Sequence, residues 1–453
     1  MIDTQASRIS RVRVADAPLL PPSGDLAIGS CVAHACRGND GDVAVSALYK
    51  LLIAMTIIHF TSFLLLPDLP NMVSALVIAR YILWPFITIL FVIFLIKNGV
   101  TLVARVLAPF SPYFIIGVLS ACLSDAPFDG LKLLVFWLLG TLASVTAGLG
   151  LKSVVALRTT FFVFFFMIFS SLLAIFLFPH FGVFNGAQSF LGSDWSGLFI
   201  NKNVFGKICQ CELLFALILT EMNRTLRLSV LGLASFLLLH SGSQSALIVA
   251  IFQSAYWICI PILRRRAHPA WVKSVIILGT LLASALVIIL GRAPLLALLG
   301  RDATLTGRTD VWQVWINRAM QSFWLGAGPG SFTGNSSATA DLTQAFSRYG
   351  TIYSPHNMYI GVFGEVGILG LITFTVPLIY MFAVLPFTRE GRMPVICGLL
   401  AFTMALGGLS ETQEVFGLGL NMFLLVLAYA PTAHRPSKSL LGVRAGISHG
   451  RQG

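Results

Sequence analysis

One histidine and a surplus of arginine occupy the longest polar stretch of a chain that is otherwise mostly hydrocarbon. Between Arg292 and Asn357 stand Arg292, Arg301, Arg308, Arg318 and Arg348, set against Asp302, Asp310 and Asp341. The stretch closes on Pro355-His356-Asn357. An imidazole, with a free pKa near 6.5, takes up a proton at neutral pH without forced burial. An arginine fork matches two phosphate oxygens at once. These residue types imply an anionic ligand beside a proton acceptor. Read alone, His356 has a plainer role open to it, an interfacial ring with one nitrogen satisfied by backbone.

Within the stretch, Trp312, Trp315, Ile316, Ala319, Met320 and Phe323 follow i, i+3, i+4, i+7, i+8 and i+11. That spacing is one apolar stripe and predicts an amphipathic helix near 309–323, with Thr309 or Asp310 capping its start. Gly307-Arg308 then falls at or just before the helix N-terminus, where free amides and the dipole favour an anion. The two tryptophans suit a helix in the membrane–water boundary; packing against the top of a helical bundle is the alternative. After it, Gly326-Ala-Gly328-Pro-Gly330 turns sharply. A nucleotide loop would need a flanking strand and helix and a Lys-Ser/Thr ending, so this turn reads as a tight return of the chain.

Of the 453 residues, 57% are hydrophobic and 11% charged, where soluble domains run near a quarter charged. The composition predicts an integral membrane protein. The net charge of +12 does not imply nucleic acid, because the basic residues fall in short breaks between apolar runs and so mark topology. Cys31-x2-His34-x-Cys36 lacks a second ligand pair at a usable spacing, so no metal site is expected.

Residues 1–48 predict a disordered cytoplasmic arm. Apolar runs near the ~20 residues needed to cross a bilayer follow at about 49–66, 72–95, 101–121, 131–150, 159–178, 203–220, 226–240, 245–263, 273–291, 357–386, 393–409 and 416–431. The expected fold is an all-α polytopic membrane protein of about 12 transmembrane helices, nine in 49–291 and three in 357–431. The 292–356 loop lies between spans 9 and 10, and 432–453 forms a cytoplasmic tail. Lys97 and Arg105, Lys152 and Arg158, Arg224 and Arg227, Arg264 to Arg266, and Arg389 with Arg392 fall in every second break. Asp68, Asp125, Asp129, Asp194, Glu411 and Glu414 fall in the others. The positive-inside rule then puts both termini in the cytoplasm and the long loop outside. The loop's surplus of arginine is on the wrong side, although long loops obey that rule poorly.

Gly307-Arg308 followed by Trp312, then Leu325-Gly-x-Gly-x-Gly-Ser-Phe, then Pro355-His356-Asn357 with Gly367 eleven places after the histidine, resembles the O-antigen ligase and Wzy-type polymerase superfamily. The resemblance covers roughly 190–430, including Lys202-Asn203 and Ser241-Gly-Ser-Gln244-Ser, and is most like the exopolysaccharide polymerase branch. It implies a GT-C-like glycosyltransferase of the bacterial inner membrane that joins polyprenyl-diphosphate-linked oligosaccharides at the periplasmic face without a metal or other cofactor. It further implies His356 as general base and Arg308 as diphosphate clamp. Asn357 would orient His356 or contact sugar, and Lys202, next to Asn203, would be a second cation. Glu411 could orient His356 or be a solvated loop carboxylate.

Family members often carry Arg where this chain has Gln244. Lys202, Arg301 or Arg348 would then supply the missing charge, or the second phosphate position works differently. The implied partners are the lipid-linked donor and acceptor, membrane lipids, and a chain-length regulator with export machinery. A ligase that moves finished glycan to a lipid or protein is the nearest rival. A transporter is the rival from another class, disfavoured because the spans are nearly free of charge and no repeat is evident.

Overall fold

The computed structural model describes residues 40–64, 70–184, 194–290, 308–332, 336–346, 354–411, 416 and 419–434. The chain divides into Met1–Ala47, described only in its last residues, and Leu48–Gly453. Apart from one antiparallel pair of two-residue strands, β1 (Val183–Phe184) and β2 (Asp194–Trp195), every regular element among the described residues is helical, including the short turns Pro179–Gly182, Tyr380–Val384 and Leu385–Thr388 besides the helices named next. The helices are α1 (Asp40–Phe60), α2 (Pro70–Asn98), α3 (Val100–Leu107), α4 (Ser111–Cys122), α5 (Pro127–Gly150), α6 (Ser153–Leu177), α7 (Lys202–Ile218), α8 (Arg224–His240), α9 (Gln244–Arg265) and α10 (Ala270–Leu290). They continue with α11 (Arg308–Gln321), α12 (Ser337–Phe346), α13 (Met358–Ile379), α14 (Met393–Gly407) and α15 (Leu420–His434).

Among the described residues five helices are long and apolar enough to cross a membrane, or six if the bent pair α2–α3 counts as one span. They are Val43–Phe60, α5, α6, α9 and Met358–Thr388. Ser111–Cys122, Ala270–Ser284, α14 and Leu420–Ala433 are shorter and also apolar. A helix lies within each expected run, but α7 and α8 are in neither group, and one run needs correction. The run 101–121 is not one crossing but two helices, α3 and α4, and α3 turns 116° away from the end of α2. Pro109 and Pro112 break the run, since each lacks an amide donor and crowds the residue before it. What remains, α4, is twelve residues and about 18 Å long, short of a ~30 Å hydrocarbon layer. Val103 and Val106 of α3 are buried while Arg105 is exposed, so α3 is amphipathic.

A helix that is apolar all round belongs inside a bundle, and α14 is buried at every position from Pro394 to Gly407. Around it pack α9, α13 and α15. Small residues set the closest approaches. A Cβ added at Gly148 of α5 would lie 2.8 Å from the Leu427 carbonyl oxygen of α15, and one at Gly206 of α7 would lie 2.5 Å from Ser243 Cβ before α9. By contrast α6 leaves Phe162, Phe166, Phe169 and Phe176 exposed along its outer side, the surface a lipid-facing helix presents.

The predicted loop helix is α11, beginning at Arg308, so Thr309 and Asp310 fall inside its first turn. Only part of its stripe is packed inward, at Trp315 and Ala319. Trp315 is buried, stacks on Phe332 with ring centroids 3.6 Å apart, and clusters with Val311, Ala338 and Leu342. The same tryptophan lies over Gly364 of α13, whose added Cβ would be 2.6 Å from the indole. Ile316, Met320, Phe323 and Trp324 stay exposed beside that cluster.

The turn after α11 is locked to α13 backbone to backbone. Ala327 N donates to Gly364 O and Gly328 N to Glu365 O, both at 2.9 Å, while Ile368 N donates to Phe323 O at 2.9 Å and Leu369 N to Trp324 O at 3.3 Å. Gly326, at φ 72°, and Gly367, at φ 70° and ψ −168°, face each other there. The second conformation is open essentially to glycine alone.

Candidate functional site

The residues around His356 are fixed from several directions. His356 has φ 46°, an uncommon left-handed backbone for a side chain larger than Asn or Asp. The neighbours hold it there. Pro355 is buried, and its carbonyl accepts from Trp312 Nε1 of α11 at 2.6 Å. Asn357 caps α13, accepting from Tyr359 N at 3.0 Å and Ile360 N at 3.1 Å, and its Nδ2 donates to Leu409 O at 3.2 Å. Met358 N donates to Gly408 O at 2.7 Å, and His356 N donates to Ser354 Oγ at 3.2 Å. The Pro-His-Asn motif thus ties α11, α13 and the end of α14 around one imidazole.

That ring lies 3.4 Å (Nδ1 to Oε2) from Glu411, whose other oxygen accepts from Ser245 Oγ at 3.1 Å. Both partners are partly exposed, 40% for the histidine side chain and 26% for the glutamate. They open on a cavity of about 170 Å³, far above the ~10–15 Å³ that one water needs. Its walls come from four places: Asn203, Lys207 and Gln210 of α7 with Asn201 before it; Ser245, Ala246 and Val249 of α9; Thr403, Gly407, Ser410 and Glu411 from the end of α14; and Asn421 of α15. Below it Gln210 Nε2 donates to Gln253 Oε1 and Thr403 Oγ1 to the same oxygen at 3.3 Å, a buried polar floor. The starts of α7, α9 and α15 line the cavity and α13 begins beside it, so the partial positive charge of these helix dipoles meets the carbonyl end of α14 at its rim.

The expected site residues separate into three groups. His356, Asn203 and Glu411 meet at the cavity. Arg308 opens α11 one turn, about 6 Å, before Trp312, which is bonded to the residue preceding His356. Its side chain, with Arg301 and Arg348, lies outside the described residues. Lys202, Gln244 and Asn357 are placed differently. Lys202 Nζ donates at 2.6 Å to Asp194, whose side chain is fully buried, so this lysine binds β2 to the start of α7. Gln244 is the first residue of α9, and its neighbour Ser245 is the one that lines the cavity. The Asn357 amide is occupied as a cap and loop tie. Arg318 also leaves the arginine surplus, since it pairs with Asp125 at 3.3 Å and Asp341 at 3.7 Å.

Lys207, Gln210, Ser245 and Asn421 were not singled out in the sequence. Lys207 carried a usable signal, a charge inside an apolar run. So did Glu212 and Glu365, both buried in helices of the bundle. Among the described residues no three His, Cys, Asp or Glu side chains gather as metal ligands.

The O-antigen ligase family matches residues 229–375. The exopolysaccharide production protein ExoQ of Rhizobium meliloti (strain 1021) is 29% identical over 218 residues, 45% of this chain and 48% of that protein. The chain thus spans about half the length of this curated relative. No solved structure matches.

Proposed function

We propose that this chain, which is similar to the O-antigen ligase family over residues 229–375, is a membrane-embedded polysaccharide polymerase of the ligase and polymerase class. It moves a growing glycan from one polyprenyl diphosphate onto a sugar hydroxyl of the next lipid-linked repeat unit, at the outer face of the bacterial inner membrane. The observation that carries this is the Ser245–Glu411–His356 chain of contacts at the mouth of a polar cavity.

Glu411 accepts from Nδ1 and so fixes the tautomer, leaving the Nε2 lone pair to take the proton of the acceptor hydroxyl. The acceptor oxygen then bonds to the donor's anomeric carbon as the bond to the diphosphate breaks. The leaving diphosphate keeps the electron pair. Its growing charge is met by Arg308 and by the helix N-termini at the rim, which act most strongly in a partly dry site. With cations in that role no divalent metal is demanded. Four breaks that the charge pattern assigns to one side, at 194–201, 241–243, 291–357 and 408–419, lead to one cavity or its rim, which supports placing that cavity on the outer side.

The relative's name as an exopolysaccharide production protein supports the polymerase reading, and the name of the O-antigen ligase family supports the transfer of finished glycan as its rival. The test is purified protein fed a synthetic polyprenyl-diphosphate oligosaccharide in EDTA. A ladder of lengthening products is expected, and it disappears in His356→Ala. A single transfer to an added lipid or protein acceptor, without a ladder, replaces polymerase by ligase. No transfer at all by the wild type refutes the reading.

A further inference from the structure

The lysine expected to reach the substrate is engaged elsewhere, and another lysine stands in the cavity wall. Lys202 and Lys207 are five residues apart on α7, about 7.5 Å along the axis and about 140° around it. They therefore cannot face the same way. Lys202 turns to the buried carboxylate of Asp194. Lys207 lies on the face it shares with Asn203 and Gln210, at i−4 and i+3, and all three line the cavity that His356 and Glu411 border. Among the described lining residues Lys207 is the only one with a permanent positive charge.

Packing puts Lys207 beside the start of α9. Gly206, its neighbour, approaches the turn before α9 so closely that a Cβ would lie 2.5 Å from Ser243, and the uncharged Gln244 follows directly. A lysine within a membrane-embedded helix is costly unless it lines a polar cavity and works there. We propose that Lys207 sets the fixed positive charge of this cavity against an oxyanion of the substrate, on the diphosphate or on an acidic sugar. The proposal rests on the glycosyl-transfer reading above and deepens it.

The full chain in lipid nanodiscs, as wild type, Lys207→Gln and Lys207→Arg, is titrated with farnesyl diphosphate, farnesol and a glucuronate disaccharide. Losing one charge-assisted contact predicts roughly 10- to 100-fold weaker anion binding in Lys207→Gln. Lys207→Arg recovers most of it, and farnesol binds equally to all three. Loss confined to farnesyl diphosphate puts the oxyanion on the carrier; loss confined to the disaccharide puts it on the sugar. Unchanged binding of both anions by a folded Lys207→Gln overturns the proposal, as does equal loss of farnesol. A wild type that binds anions through Lys207 but builds no ladder overturns the polymerase reading instead.

Discussion

Gly367→Ala should release the loop from the bundle without unfolding the bundle itself. The new methyl would lie 2.4 Å from the Trp324 carbonyl carbon and 2.5 Å from Leu325 N. Both are backbone atoms, so no side-chain rotation relieves the overlap. The backbone at φ 70° and ψ −168° costs any non-glycine residue about 1–3 kcal/mol. Escape requires the Phe323–Gly328 segment to move off α13, which endangers four cross-links, Ile368 to Phe323, Leu369 to Trp324, Ala327 to Gly364 and Gly328 to Glu365. Losing two of them at ~1 kcal/mol each brings the local total to about 3–5 kcal/mol. Hydrogen exchange on purified protein should show protection falling at 323–330 and 364–369 while the α14 amides keep theirs, and transfer activity should fall with it. Gly232→Ala and Gly279→Ala are the controls. Neither added methyl has a neighbour within 4 Å, and a helical Gly→Ala change is neutral to about 1 kcal/mol stabilising. If Gly367→Ala behaves like these controls, the interlock between turn and helix does not hold the loop.

Two further outcomes follow from the site. Glu411→Gln keeps the shape but removes the charge that orients His356, so kcat should drop, by at most the ~10²–10⁴-fold that a positioned general base contributes, with KM little changed, and Ser245→Ala should produce a smaller fall in the same direction. Equal activity of Glu411→Gln and wild type would remove Glu411 from the catalytic arrangement. Lys202→Met should lower thermal stability, because it strands the buried carboxylate of Asp194. The loss should stay below the ~3–5 kcal/mol of a wholly buried pair, as the lysine is partly exposed. Adding Asp194→Leu should restore much of the melting temperature, and a failure to do so would mean that the pair is not what Lys202 contributes.

The helices were legible because long apolar runs leave a chain in lipid little alternative. The break in 101–121 was harder to see, since hydropathy sums over Pro109 and Pro112, and lone prolines at 85, 261, 377 and 431 sit inside helices that continue past them. The histidine and Glu411 could be named because each stands in a break of its own. Lys202 and Lys207 could not be told apart, as their roles depend on which side of α7 meets α9, and that follows from the Gly206–Ser243 contact. The arginine surplus was overcounted for a related reason. The partners of Arg318 lie 193 residues before it, at Asp125, and 23 after it, at Asp341.

The cavity draws its walls from Asn203 near the middle of the chain through to Asn421 near its end. During synthesis at the membrane the cavity is therefore among the last features to be completed. A product that stops short of Asn421 would lack its final wall.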